Sequence, residues 1–236
     1  YICIHGHFYQ PPRENPWLEE IETEDTAYPY HDWNERITAE CYGPNASSRI
    51  LGPKKTIIDI VNNYSHLSFN FGPTLLSWLE KHNPEVYAQI LQADRESRIL
   101  FSGHGSAIAQ VYNHIIMPLA TTQDKRTEVL WGIRDFLTRF NRMPEGMWLA
   151  ETAVDYETLD ILAEQGILFT ILDPNQAKRI RADGGSPWIE IQQGTFDIGM
   201  PYLCRLKTGR SIAIFFYDHA IANEIAFGNL LDNGEI

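Results

Sequence analysis

The feature that most constrains the fold is a repeated pairing of a short apolar run with a polar, chemically able residue at its C-terminal end. The stretch GMWLAET shows it most clearly. Gly146 to Ala150 reads as a short buried strand that delivers Glu151 at its tip, ahead of an amphipathic helix over Val154–Gln165 that Gly166 would stop. The strand candidate Tyr1–His5 leads into Gly6-His7, and the extended run Leu67–Phe71 carries Asn70. Ile99–Ser102 runs into Gly103-His104-Gly105, Phe169–Leu172 ends at Asp173, and Ser211–Tyr217 is followed by Asp218-His219. Between these runs the pattern predicts helices over Arg36–Cys41, Thr56–Asn63, Pro73 to about His82, Pro84 to about Ser97 and Thr122–Phe140, and a last one from about Ala220 to Phe227. In Thr122–Phe140, residues Val129, Ile133, Phe136, Leu137 and Phe140 share one face.

Strands alternating with helices at this spacing imply βαβ units and a parallel sheet, hence an α/β fold. Runs such as IAIFF are apolar on both faces, as strands buried in a parallel sheet are. Residues 178–210, with Gly184-Gly185, break the alternation and read as an irregular excursion or a small β-hairpin. Active sites lie at the C-terminal strand ends of a parallel barrel, and ligands bind at the same edge of an open parallel sheet. The recurring polar groups therefore mark one rim, and Glu151, His5, His7 and His104 are expected within reach of one substrate there.

Composition limits what that substrate can be. Lys plus Arg number 19 against 31 Asp plus Glu, a net charge of −12. That argues against nucleic acid, whose non-specific binding depends on cations neutralising phosphates, and against an anionic membrane surface. No apolar run approaches the ~20 residues needed to span a bilayer. Three scattered cysteines, Cys3, Cys41 and Cys204, form no disulfide framework and no CxxC, so a reducing cytoplasm is expected. The chain begins at Tyr1 inside an expected strand and reads as a fragment.

Each candidate has more than one reading. Glu151 could be a nucleophile, a general base, or an acid that favours a helix dipole. Trp148, three residues earlier, could pack in the core or offer a platform to a sugar. His5 and His7, at i and i+2 of a strand, can point to one side, which suits a metal, sugar hydroxyls, or simple structural hydrogen bonding. Phe8, Tyr9, Trp17 and Trp33 crowd the region after that strand as sugar-stacking or core rings. His104 between glycines allows close ligand approach or a plain tight turn. Asp218 could be an acid partner of Glu151 or a helix N-cap. The motifs GxGxxG, GxxxxGK[ST] and GxSxG are absent, so phosphate cradling and a nucleophile elbow have no support.

The motifs HGHFYQPP at 5–12, SGHGS at 102–106 and GMWLAET at 146–152, in this order, resemble glycoside hydrolase family 57. LSFNFGPTLLSWL at 67–79, FTILDPNQA at 169–177 and FFYDHAIANEIAF at 215–227 fit the same family, so the resemblance covers essentially the whole chain. It implies an incomplete parallel (β/α)7 barrel, truncated here at its C-terminus, with residues 1–236 forming a single barrel domain or the N-terminal part of one. It further implies retaining hydrolysis or transfer on α-glucans, with a polysaccharide or oligosaccharide as partner and no cofactor or metal. Glu151 maps onto the catalytic nucleophile. His5 and His7 map onto the substrate site, with Tyr9, Gln10 and Trp33 as its aromatic and amide neighbours, His104 onto the glycine-flanked histidine, and Trp148 into the nucleophile motif.

A retaining enzyme needs two carboxyl groups roughly 5–5.5 Å apart, with environments that push their pKa values apart. The family's Asp-Gly-Glu-x-aromatic-Gly motif for the acid is absent, and Asp232-Asn233-Gly234-Glu235 is a superficial echo. Either Asp218 is the acid, or the acid lies beyond Ile236 and these residues alone are inactive. Two other readings compete. One is a metal-dependent, polysaccharide deacetylase-like hydrolase in which His5, His7 and Asp218 hold a divalent metal. The other is a non-catalytic glycan-binding domain.

Overall fold

A computed structural model describes residues 2–182, 185–192 and 196–230. Among them the chain forms an α/β fold whose contacts group it into two compact units. One comprises residues 1–114 and 131–144, the other residues 115–130 and 145–236.

The first unit holds strands β1 (His5–Phe8), β2 (Ser48–Leu51), β3 (Ile57–Val61), β4 (Ser68–Phe71) and β5 (Ala109–Gln110), and helices α1 (Trp33–Ile37), α2 (Gly43–Ala46), α3 (Pro73–His82) and α4 (Pro84–Leu100). β1 and β4 run parallel with His5 opposite Ser68 and His7 opposite Asn70, and Phe69 bridges in parallel to Ala107 just ahead of β5. The alternation of side chains sorts these strands into two faces. His5, His7 and Asn70 lie on one. On the other, Phe8 stacks on Phe71 at 4.7 Å and meets Tyr64 edge-on at 5.3 Å, in an aromatic core completed by Tyr42 and Phe69. The Phe8 ring lies over Gly6, where a Cβ would come within 2.5 Å of it, so the residue between the two histidines has to be glycine.

The second unit holds β6 (Met147–Trp148), β7 (Phe169–Leu172), β8 (Arg179–Ile180), β9 (Ile189–Glu190), β10 (Tyr202–Arg205) and β11 (Ser211–Phe216). β7 and β11 pair in parallel, and Gly146 bridges in parallel to Phe169. β10 folds back antiparallel on β11, and β8 pairs antiparallel with β9, so residues 178–210 do supply the expected β-excursion. Helix α5 (Thr122–Phe140) starts in the second unit and ends in the first. Its Val129, Ile133, Phe136 and Phe140 are buried as the periodicity requires. Helix α6 (Tyr156–Glu164) is capped by Asp155, and α7 (His219–Phe227) by Asp218. Parallel pairing is thus confirmed, while the described sheets have two or three strands and none closes into a barrel.

Four expectations need correction. Thr56–Asn63 is not a helix: Ile57–Val61 pairs antiparallel with Ser48–Leu51 around a turn at Gly52–Lys55. Its run of β-branched residues fits a pleated strand better than a helix, where χ1 is restricted. Ile99–Ser102 is not a strand. α4, capped by Asn83 with Pro84 in its first turn, continues to Leu100, and Ile99 is 85% exposed. The first strand begins at His5 rather than ending there, so His5 and His7 lie on the strand itself. Finally, the strand before Glu151 is regular only at Met147–Trp148. Leu149 stays extended, then a tight turn over Ala150–Thr152 takes Glu151 off the strand line.

Candidate active site

In the first unit, the strand geometry builds a chain of polar groups. Ser68 Oγ lies 2.9 Å from His5 Nδ1, and His5 Nε2 lies 3.1 Å from Asn70 Oδ1. Asn70 Nδ2 donates to Gln110 Oε1 at 2.8 Å and to His7 Nδ1 at 2.9 Å, and His7 Nε2 meets His114 Nε2 at 3.1 Å. These contacts accommodate one continuous assignment of the protons. Ser68 donates to His5 Nδ1, His5 Nε2 to Asn70, Asn70 to His7 Nδ1, and His7 Nε2 to His114. Each imidazole in this order is neutral. Burial lowers the His5 pKa to about 4, and burial with the neighbouring His114 lowers that of His7 to about 4, outweighing the Asn70 hydrogen bond that favours the charged form. Tyr9 stacks on His114 at 3.8 Å and 14°, which covers the end of the chain with a flat ring. Neutral donors and acceptors beside a ring suit a neutral, hydroxyl-rich ligand.

His104 is exposed on the turn after α4, three residues before Ala107, and therefore at the N-terminal entry of the parallel ladder. The neighbouring Gly105 has a packing reason. A Cβ there would overlap Asp94, which is fully buried and grips Arg142 in a two-pronged ion pair at 2.7 and 2.9 Å. The histidine that joins His7 is His114. Gln10 binds Tyr42 OH at 3.4 Å and accepts from Arg13 Nη2 at 2.9 Å. Trp33, the first residue of α1, donates to Thr26 Oγ1 at 2.9 Å and carries the Arg36 guanidinium over its ring. A cavity of about 870 Å³ in this unit, walled by Tyr30, Asp32, Trp78 and His82 among others, includes none of the strand histidines.

In the second unit, the C-terminal ends of three parallel runs converge on one edge. Glu151 follows β6 in left-handed backbone (φ 53°, ψ 21°), and Thr152 after it also has positive φ, 54°. Two consecutive non-glycine residues there, one of them β-branched, store on the order of 2 kcal/mol of strain. The turn is held by Thr152 N to Leu149 O at 3.0 Å and by Gln176 Nε2 to Thr152 O at 3.1 Å. The Glu151 side chain is exposed at this kink, and Trp148 is half-buried on the strand before it. After β7, Asp173 Oδ2 accepts from Tyr217 OH at 2.6 Å and from His219 Nδ1 at 2.9 Å. Partial burial alone would raise the Asp173 carboxyl, but the bonds from Tyr217, Asn175 and His219 hold it below the usual carboxylate range. Burial and the same carboxylate push Tyr217 up to about 12. Asp218 Oδ1 accepts from Ile221 N at 3.0 Å, the N-cap geometry. Asp232–Glu235, the echo of the acid motif, lies outside the described residues.

Among the described residues, no group of three or more His, Cys, Asp or Glu is arranged to hold a metal ion. Sequence reasoning missed His114 because the run Ala107–Val111, which it follows, was masked by the strand expected at Ile99–Ser102. The pairing of Asp173 with His219 bridges 46 positions and leaves no local signal.

The family described as Glycosyl hydrolase family 57 matches residues 2–231. The chain belongs to that family. Over 107 residues it is 27% identical to Alpha-amylase 1 of Dictyoglomus thermophilum, a match covering 45% of this chain and 15% of that protein. Among solved structures, it resembles a 4-alpha-glucanotransferase from Thermococcus litoralis, with TM-score 0.61 and 15% identity over 97% of this chain and 29% of the other. It also resembles an exo-type maltose-forming amylase from Pyrococcus sp. ST04, with TM-score 0.63 and 18% identity over 97% of this chain and 36% of the other. The chain thus spans well under half the length of each relative. At these identities the structural likeness speaks for the fold, an α/β architecture like that of family 57 catalytic domains.

Proposed function

We propose that this chain carries catalytic residues of a retaining α-glucan enzyme, a glycoside hydrolase or glucanotransferase, on a (β/α)7-type barrel. Glu151 is its nucleophile. The observation that carries the reading is the strained left-handed turn that projects this carboxylate from the end of a short parallel strand in the family's Trp-Leu-x-Glu motif. Strain of this kind persists where surrounding structure enforces it, and it clusters at active sites. His5 and His7, with Tyr9, contact hydroxyl groups of the glucan. His114 joins them through its contact with His7. The acid is either Asp218, whose Oδ1 caps α7, or a carboxyl outside residues 1–236, since the family's Asp-Gly-Glu-x-aromatic-Gly motif does not occur within them. The enzyme works in the cytoplasm, a reading supported by three free cysteines, and no described helix is long and apolar enough to cross a membrane.

The test is turnover by the full-length protein of a linear α-1,4-oligoglucan, with the anomer of the new product followed by NMR from the first seconds. The α-anomer forming first, as hydrolysis or transfer product, supports the reading. First formation of the β-anomer, or release of acetate from an acetylated glycan instead, overturns it.

A further inference from the structure

The proposed chemistry makes no use of the excursion at residues 178–210. It leaves from the C-terminal end of β7, on the sheet edge that Glu151 reaches from β6. It opens with the hairpin of β8 and β9, in which Arg179 lies opposite Glu190 and Ile180 opposite Ile189, and Ile191 N donates to Lys178 O at 2.9 Å. Side chains two residues apart on a strand share a face. Continuing the register by one residue on each side therefore puts Arg181 and Trp188 on the face of Arg179 and Glu190. The contacts agree: the Arg179 guanidinium lies 4.7 Å from the centre of the Trp188 ring, and that of Arg181 lies 4.6 Å from it. One indole thus gathers two like charges, and cation–π attraction offsets their repulsion. Among the described residues neither arginine forms an ion pair, not even with Glu190 across the hairpin. Elsewhere in this unit Arg126 pairs with Glu164, and Arg210 with Asp160. Trp188 is 48% exposed and both arginines are exposed, so their N–H donors are open to a ligand. Lys178 at the foot of the hairpin adds a third cation, a local reversal of sign in a chain of net charge −12.

We infer that the Arg179–Trp188–Arg181 face of this hairpin binds a phosphate ester carried on an α-glucan. This rests on the reading of the chain as an α-glucan enzyme and adds to it a preference for phosphorylated substrate. A guanidinium is a planar fork of donors that engages two oxygens of one anion. A phosphate monoester carries about −1.5 to −2 charges at neutral pH and three acceptor oxygens. It can therefore engage both guanidiniums at once, whereas a carboxylate brings a single charge and two oxygens. The exposed part of the indole offers an apolar surface to the C–H face of the sugar that bears the phosphate. The hairpin is rooted on the edge that carries Glu151, so it holds a glucose unit of the chain under attack while taking no part in bond breaking. Glu190 on the same face opposes the anion and limits its affinity.

The experiment is titration calorimetry on the full-length protein at low ionic strength, because exposed charges are screened by salt. The probes are maltoheptaose, maltoheptaose phosphorylated at one O6, glucose 6-phosphate and inorganic phosphate. The wild type should bind the phosphorylated glucan about tenfold or more tighter than the plain one, the scale of a charge-assisted hydrogen bond. The double variant Arg179→Gln/Arg181→Gln should erase that advantage and leave the affinity for plain maltoheptaose unchanged, with thermal unfolding to verify the fold. Arg179→Lys, which keeps the charge but not the fork, should retain part of the advantage, and Glu190→Gln should increase it. Lys207→Gln, which removes an exposed cation elsewhere in this unit, should leave it in place. Equal affinity of the wild type for the two glucans, or an advantage that survives in the folded double variant, overturns the site and leaves the glucan reading intact. Glucose 6-phosphate or inorganic phosphate bound as tightly as the phosphorylated glucan overturns the glucan as the carrier. A wild-type protein that neither binds nor turns over plain maltoheptaose overturns the glucan reading, and this inference with it.

Discussion

The two strand-end regions obey one rule in the sequence and differ in kind in the structure. In the first unit, His5, His7 and His114 are tied through Asn70 into a neutral hydrogen-bonded chain on regular strands, backed by an aromatic core. In the second, Glu151 stands exposed on two strained residues, and Asp173 is held ionised by three donors. Position at a strand end therefore does not assign chemistry; the environment does. Burial that favours neutral imidazoles makes a surface for neutral hydroxyls. A kinked, exposed carboxylate makes a group free to attack. One region should accordingly answer to mutation mainly in stability, the other mainly in turnover.

The sharpest break of that contrast is at Asn70. Asn70→Ala removes the partner of His5, His7 and Gln110 together, in a residue with no solvent exposure. Losing these hydrogen bonds, made by a fully buried amide, should destabilise the protein by about 3 kcal/mol or more in urea unfolding. A loss under about 1 kcal/mol would mean that the chain is not the cohesive element described.

Acid sharpens the same contrast. His5 and His7 ionise at about 4 in the fold but near 6.5 in the unfolded chain, so the unfolded state binds more protons between those values. Their stabilisation is complete above about pH 6.5 and is lost as pH falls towards 4, by on the order of 2–3 kcal/mol per histidine. Unfolding free energies measured from pH 7.5 to 4 should show this slope, and His5→Gln should flatten it. A slope that is the same in the variant would assign the loss to other groups.

At the kink the sign reverses. Glu151→Gly replaces a left-handed glutamate with a residue that adopts positive φ freely, so stability should rise by about 1 kcal/mol. A melting temperature that falls would show that the turn is not strained at this residue.

How much of this was legible from sequence follows from where the signals are local. Helices α3, α5 and α6 announce themselves by proline at the first turn, by a face repeating at 3.6 residues, or by a glycine stop. His5, His7 and Glu151 were visible because each sits beside an apolar run. Ile57–Val61 was misread because Ile57, Ile60 and Val61 also fit helical spacing, and only pairing with Ser48–Leu51 decides the matter. Ile99–Ser102 is a short apolar run that periodicity cannot classify, and reading it as a strand hides the run Ala107–Val111 that His114 follows. The strain at Glu151 and the Asp173–His219 pair depend on backbone angles and on contacts distant in sequence, which no local pattern encodes.

The central claim, that Glu151 is the nucleophile, is tested most directly by two variants of the full-length protein. Glu151→Gln keeps the shape of the side chain but cannot attack as an anion, so it should abolish α-glucan turnover while leaving glucan affinity within a few-fold. Glu151→Ala with added azide should form a β-glycosyl azide, inverted relative to the substrate, because azide occupies the vacated space and attacks from the same side. Retaining turnover at the wild-type rate in Glu151→Gln, in protein shown free of wild-type enzyme, would contradict the claim and leave Trp-Leu-Ala-Glu a structural motif.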